Sequence, residues 1–171
     1  MESTFEYILL SAYKEQMIEY LETNPDEFDE ALSLALSDRQ PFAWRSAWLL
    51  SGCIQNNDKR VKPYLDDIIG VLPEKQYNQQ RELLKVIDKM ELEPEQEEAV
   101  YYHCIKLWKD VNLKPGVRFM AFRMMYKHIQ KHPEKVFELY EYTSSSYFNT
   151  LSPGIKHSLK KMMKNLKPPK V

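Results

Sequence analysis

Glycine is scarce in this sequence, at four residues in 171. No glycine-rich phosphate loop can be written from so few, which removes the best-marked nucleotide chemistry. Cysteine is scarcer still. Cys53 and Cys104 are too few for a disulfide framework and form no CxxC pair. Both lie in apolar helical contexts and read as buried thiols. HExxH and GxSxG are missing as well, so neither a zinc-protease nor a hydrolase signature is present. Long hydrophobic runs are absent. The opening stretch MESTFEYILLSAYKEQ begins with an acid and is broken by polar residues and Lys14, so it fits neither a signal peptide nor a spanning helix. A cytoplasmic protein with no membrane partner is expected. The formal net charge is only −1 and the pI is about 6.4.

What remains is helical. Leu, Lys, Glu and Met are abundant, which favours helix over sheet. Tyr64, Leu65, Ile68, Ile69 and Leu72 form one apolar stripe, and Val117, Met120, Ala121, Met124, Met125 and Ile129 form another. No strand alternation of useful length occurs. Pro25, Pro94, Pro115, Pro133 and Pro153 stand where helices should start, because proline's missing N–H has no partner to lose in a first turn. Acids follow several of them, as in NPDEFDE, EPEQEE and HPEKVFE, and complement the positive end of the helix dipole.

A repeat emerges from the basic residues. Arg45 to Arg81 is 36 positions, Arg81 to Arg118 is 37, and Arg118 to Lys156 is 38. A near-constant period of this size marks stacked helical hairpins, each burying its apolar face against the next. Four hairpins are expected, each a helix A, a turn, and a helix B that carries the basic residue near its start. Helix A falls at 25–37, 62–72, 94–109 and 133–146. Helix B falls at 41–56, 76–91, 115–131 and 153–167. Residues 1–24 supply an N-terminal cap, a helix or helix pair over 3–22. Residues 168–171 are a frayed tail, since the prolines of LKPPKV forbid more helix. The whole of 1–171 reads as a single α-solenoid domain.

The stretches LALSDRQPFAWRSAWLL and LWKDVNLKPGVRFMAFRMM place an acid in the inter-helix turn (Asp38, Asp110), an arginine at the opening of the second helix (Arg45, Arg118) and a small residue after it (Ala47, Ala121). In this the chain resembles the HEAT and HEAT-like repeats, over about residues 25–167, and in particular short bacterial members without an assigned activity. Hairpin two offers Glu74 in its turn, and hairpin four offers no acid between Tyr147 and Lys156, so these two fit the pattern less well. The resemblance implies an all-α, right-handed α-α superhelix and protein binding as its usual use. Arg45 is then expected to lay its stem on apolar surface while its head reaches a turn acid, and Trp48 is expected in the core.

Candidate chemistry is thin. His128 and His132 are one helical turn apart, but a metal site needs further ligands, and His132 before Pro133 should end its helix facing water. His103 and Cys104 are adjacent and so point about 100° apart on a helix. Acid pairs such as Glu97–Glu98 read as solvated helix faces. The methionines read as core. No catalytic residue, metal or cofactor is expected, and no small-molecule substrate is inferred.

Charge, however, is segregated. The four A segments, widened to their turns, sum to −11, and the four B segments sum to +11. The segments 115–132 and 153–167 contain no acid. In a HEAT-type array the B helices line the concave face, which would then be basic. Arg123, Lys127, Lys160 and Lys164, with Trp44 and Tyr126, are the expected partner-binding residues. The leading reading is a non-enzymatic interaction module that takes an acidic segment of a protein partner. The alternative is a nucleic-acid-binding protein, similar in build to HEAT-like alkyl-base DNA glycosylases, although their catalytic residues find no match here. The modest pI speaks against it.

Overall fold

The structure, a computed structural model, describes residues 3–166; the expected frayed tail at 168–171 lies outside them. Every regular element among the described residues is helical. The chain divides into two compact units, Met1–Glu91 and Leu92–Val171. The division falls between the second and third expected hairpins.

In the N-terminal unit, α1 (Thr4–Ser11) and α2 (Lys14–Thr23) precede the pair α3 (Phe28–Leu36) and α4 (Phe42–Cys53), then the pair α5 (Leu65–Val71) and α6 (Tyr77–Asp88). The stretch read from sequence as a cap thus holds two helices. Ser3 caps α1, accepting from the Glu6 N–H while the Glu6 side chain accepts from the Ser3 N–H. α4 is the hub, touched by α1, α2, α3 and α6. Its sequence explains this: Phe42, Ala43, Ser46, Ala47, Leu49 and Leu50 are all buried, on more than one side of the helix, and the alanines let neighbours approach closely. The buried Ser46 hydroxyl donates to the Ala31 carbonyl of α3 at 2.6 Å. Between the pairs, Asp58 organises the linker. It accepts from the Gln55 and Arg60 N–H groups at 3.3 and 3.1 Å and holds the Arg60 guanidinium at 3.0 and 2.8 Å. That guanidinium lies 4.0 Å over the Phe28 ring.

The C-terminal unit contains α7 (Pro94–Lys109), α8 (Pro115–Lys131), α9 (Val136–Glu141), α10 (Ser145–Phe148) and α11 (Pro153–Lys164). Here α8 is the hub, packing on α7, α9 and α11 and burying Val117, Met120, Ala121, Phe122, Met124, Met125 and Ile129. Pro94, Pro115 and Pro153 each open a helix, while Pro25, Pro63 and Pro133 sit in short 3-10 turns that lead into α3, α5 and α9. The expected helix over 133–146 is broken into α9 and α10. The intervening residues include Thr143 and Ser144, and the Thr143 hydroxyl takes the Tyr140 carbonyl at 2.7 Å, a local bond that competes with continued helix.

Arg45, Arg81, Arg118 and Lys156 stand four or five residues into α4, α6, α8 and α11, as the period requires. What the arginines hold differs from expectation. Glycine usually caps helix C-termini, yet all four glycines lie inside helices. The orphan carbonyls at helix ends are served by long side chains instead. Arg45 Nε donates to the Leu9 carbonyl in the last turn of α1. Arg118 Nε donates to the Trp108 carbonyl at the end of α7 at 3.0 Å, and its Nη2 to the Tyr147 carbonyl of α10 at 2.7 Å. In the second hairpin Gln79 does this work, giving its amide hydrogens to the Ala35 and Ser37 carbonyls at the end of α3, both at 2.9 Å. The turn acid Asp38 pairs with Lys75 of the next hairpin at 2.9 Å, and Arg45 serves a carbonyl. A carbonyl at the negative end of a helix dipole attracts a cation as an acid does, and the pattern of basic residues alone does not separate the two.

Two apolar expectations also change. Trp48 is half-buried, with the Lys14 ammonium 5.7 Å from its ring, because the stretch around it already places Ala43, Ala47 and Leu50 against the neighbouring helices. The fully buried tryptophan is Trp108, whose indole N–H reaches the Tyr142 carbonyl at 2.8 Å. Cys104 is buried as expected, whereas Cys53 is half-buried.

Candidate functional site

α11 is amphipathic. Leu159 anchors it, fully buried, with Ile155 and Met162 half-buried beside it. Lys156, Lys160, Met163 and Lys164 recur at helical spacing on another face. They form one wall of a groove of about 620 Å³. The opposite wall comes from α9, α10 and their link, and includes Tyr140 and Phe148. Among the described residues no acid lines this groove. Just outside it α9 exposes Phe137 (62%), three residues from Tyr140 (43%), so both rings face one side of that helix. The combination is a cationic wall facing an aromatic one, in the open.

The groove brings Lys160 and Lys164 together. Lys156, read from sequence only as the fourth member of the periodic ladder, joins them. Arg123 is exposed and Lys127 half-buried on α8, and neither is among the groove's lining residues. Tyr126 is half-buried and its hydroxyl accepts from Gln130 at 3.1 Å. Trp44 belongs to the N-terminal unit and is half-buried, with the Arg45 guanidinium 5.7 Å from its ring. Tyr140 and Phe148 were not singled out in the sequence. Tyr140 lies just before the break in the expected helix and Phe148 just beyond that helix's expected end, and both line the groove. Of the methionines, Met120, Met124 and Met125 are core, and Met163 lines the groove.

A second cluster lies where α7 begins and α8 ends. Glu97, His128 and His132 offer ligand atoms all within 4.8 Å of one another. Burial holds the His128 imidazole below its ordinary pKa, helped by the nearby His132 and Lys135. Tyr101 stacks on it with centroids 4.3 Å apart. Tyr101 donates to Glu138 at 3.2 Å, and burial followed by that carboxylate's charge pushes the phenol well above its usual range. The histidine pair was visible in the sequence; Glu97 was not, because its part depends on α7 lying beside α8.

The guanidinium of Arg118 is fully buried. Besides its two helix-end carbonyls it donates to the Thr150 hydroxyl at 2.8 Å and lies 4.5 Å over the Trp108 ring. Burial lowers its pKa, with the field of Asp110 opposing. Its bonds to helix ends make it architecture. Among the described residues no helix is long and apolar enough to cross a membrane.

No curated protein and no solved structure matches the chain. The family model of the HEAT repeat domain matches residues 9–166. That span contains all three arginines of the ladder and both hub helices, and the chain belongs to the HEAT repeat domain family.

Proposed function

We propose that the protein is a non-enzymatic, cytoplasmic interaction module that binds an acidic, amphipathic segment of a protein partner. In this reading 1–171 is one right-handed α-α superhelix of about four hairpins behind an N-terminal cap, with the B helices on a concave basic face. The observation that carries the proposal is the groove of the C-terminal unit. Three lysines at successive turns of α11 face Tyr140 and Phe148 across it. A helix or extended segment with acids on one side and apolar residues on the other would satisfy both walls. Aromatic anchors supply affinity once desolvated, and the lysines supply attraction and orientation. Arg123, Lys127 and Tyr126 on α8, and Trp44 on α4, are proposed as further contacts.

The test is reversal of Arg123, Lys127, Lys160 and Lys164 to glutamate. Surface charges contribute only about 0–1 kcal/mol each, so helix content and melting should be retained. The probe is a labelled acidic peptide with Leu and Phe at helical spacing, measured beside random-sequence duplex and single strand. Wild type should prefer the peptide, and reversal should weaken it by at least about tenfold. Equal peptide binding by both proteins would refute the site. Tighter binding of random nucleic acid, with log affinity falling linearly in log salt, would move the assignment to nucleic acid.

A further inference from the structure

The cluster at the junction of α7 and α8 has the parts of a metal site. His128 is 6% exposed, and neither of its ring nitrogens has a hydrogen-bond partner among the described residues. Buried imidazoles ordinarily use at least one nitrogen, and leaving both idle costs stability unless something else uses the lone pair. Tyr101 stacks on the ring at 4.3 Å and His132 lies against it at 4.4 Å with the planes tilted by 32°, which leaves the ring edge as the part free to reach a ligand once His132 turns out of that contact. One turn on, His132 places Nε2 3.6 Å from Glu97 Oε2 and Nδ1 3.4 Å from Glu134 Oε1. The second contact matters. A metal-bound histidine typically gives its other N–H to a carboxylate, which fixes its tautomer and orientation. Glu97 is contributed by the first turn of the other helix, so the donors converge from two elements and amount to more than an i, i+4 histidine pair.

We propose that Glu97, His128 and His132 hold one divalent transition-metal ion of the zinc class, with Nε2 of His132 and a carboxylate oxygen of Glu97 as two of the donors and a water in the fourth position. Two imidazoles and one carboxylate suit zinc, cobalt or nickel; magnesium and calcium prefer oxygen-only shells. Bonds of about 2.0–2.1 Å in a tetrahedron put donors about 3.3 Å apart. The ligand atoms begin within 4.8 Å, so rotation of Glu97 and the partly exposed His132 closes the shell. Lys131 now pairs with Glu97 Oε1, and its side chain is 51% exposed, so it can swing into water as the ion enters. Lys135, which lies 5.5 Å from the Tyr101 ring, pairs with Glu98 at 3.7 Å, so its charge is partly balanced. Bound there, the ion would clip the start of α7 to the end of α8.

The experiment uses the full chain without an affinity tag. Cobalt(II) is titrated and its visible absorption followed, zinc is then used to displace it, and melting is recorded with and without zinc. The expected result is one cobalt per chain with a tetrahedral spectrum, displacement by zinc, and a zinc-dependent rise in Tm. His132→Ala and Glu97→Gln, both at partly exposed positions, should keep the fold and each weaken zinc by about 10–100-fold or more. His157→Ala should bind as wild type does. The proposal is overturned if zinc leaves Tm unchanged and cobalt stays octahedral. It is equally overturned if the Glu97→Gln, His132→Ala double variant binds zinc as tightly as wild type, since other side chains would then be the ligands. Neither outcome bears on the groove of α11.

Discussion

Replacing Arg118 by methionine should cost far more than the same change at Arg45, although the two occupy equivalent places in the repeat. Methionine keeps most of the stem's volume and removes the guanidinium. At Arg118 this orphans the Trp108 and Tyr147 carbonyls, which lie at the ends of α7 and α10 and have no following turn to serve them. A buried acceptor left without a donor costs about 1–3 kcal/mol. The Thr150 hydroxyl can reorient and adds little. Loss of a cation at two helix C-termini adds about 0.3–1 kcal/mol at each. Relief from burying the charge offsets part of this, so a net loss of about 3–5 kcal/mol is expected. At Arg45 the guanidinium is half-buried and its Nε serves a single carbonyl, that of Leu9; with one helix-end carbonyl lost against two, the loss there should be about 1 kcal/mol. For a chain of this size 1 kcal/mol moves Tm by about 2–4 °C. Far-UV circular dichroism melts should therefore show Arg118→Met lower by on the order of 10 °C and Arg45→Met by only a few degrees. Urea midpoints at unchanged slope would check that stability, and not the unfolded state, has moved. The reasoning is refuted if Arg118→Met melts within about 2 °C of wild type, or if the two variants fall equally.

The two tryptophans make a second comparison. Trp108→Ala should cost about 3–5 kcal/mol, since it opens a cavity under Phe122 and strands the Tyr142 carbonyl, whereas Trp48→Ala should cost less than half as much; equal losses by urea unfolding would contradict the burial assigned to them. Acid should act through Asp58, whose carboxyl the Arg60 guanidinium holds down at about 2. Because the folded value lies below the ordinary aspartate value near 4, this stabilisation is complete above about pH 4 and is lost as pH falls through about 2. Asp58→Asn should be less stable at neutral pH and should flatten the melting curve's decline between about pH 4 and 2; an unchanged acid slope would count against the Arg60 clamp.

Particular residues show how far pattern reading went. The period of the basic residues located α4, α6, α8 and α11 correctly, because a basic residue recurring four or five positions into each second helix leaves a regular mark. Its partners were misassigned for Arg45. A guanidinium answers equally to a carboxylate and to a helix-end carbonyl, and only the approach of α1 to α4 chooses between them. Trp44 and Trp48 stood in a conspicuous apolar run, yet the core tryptophan is Trp108, flanked by Lys106 and Lys109. Hydrophobicity marks which residues gain from burial, whereas burial itself depends on which faces meet a neighbour.

The sequence by itself determined the helices, their proline starts, their period and their uneven charge. These follow from local backbone preference and from spacing along one helix, which involve residues at most a few turns apart. Tertiary structure alone decided that Lys156, Lys160 and Lys164 face Tyr140 and Phe148, and that Glu97 comes within 4.8 Å of His128 and His132. Each of these meetings joins residues from different helices, and their relative rotation is set by how the buried faces interlock. A shift of one residue around a helix turns a side chain by about 100°, enough to take it out of a site entirely.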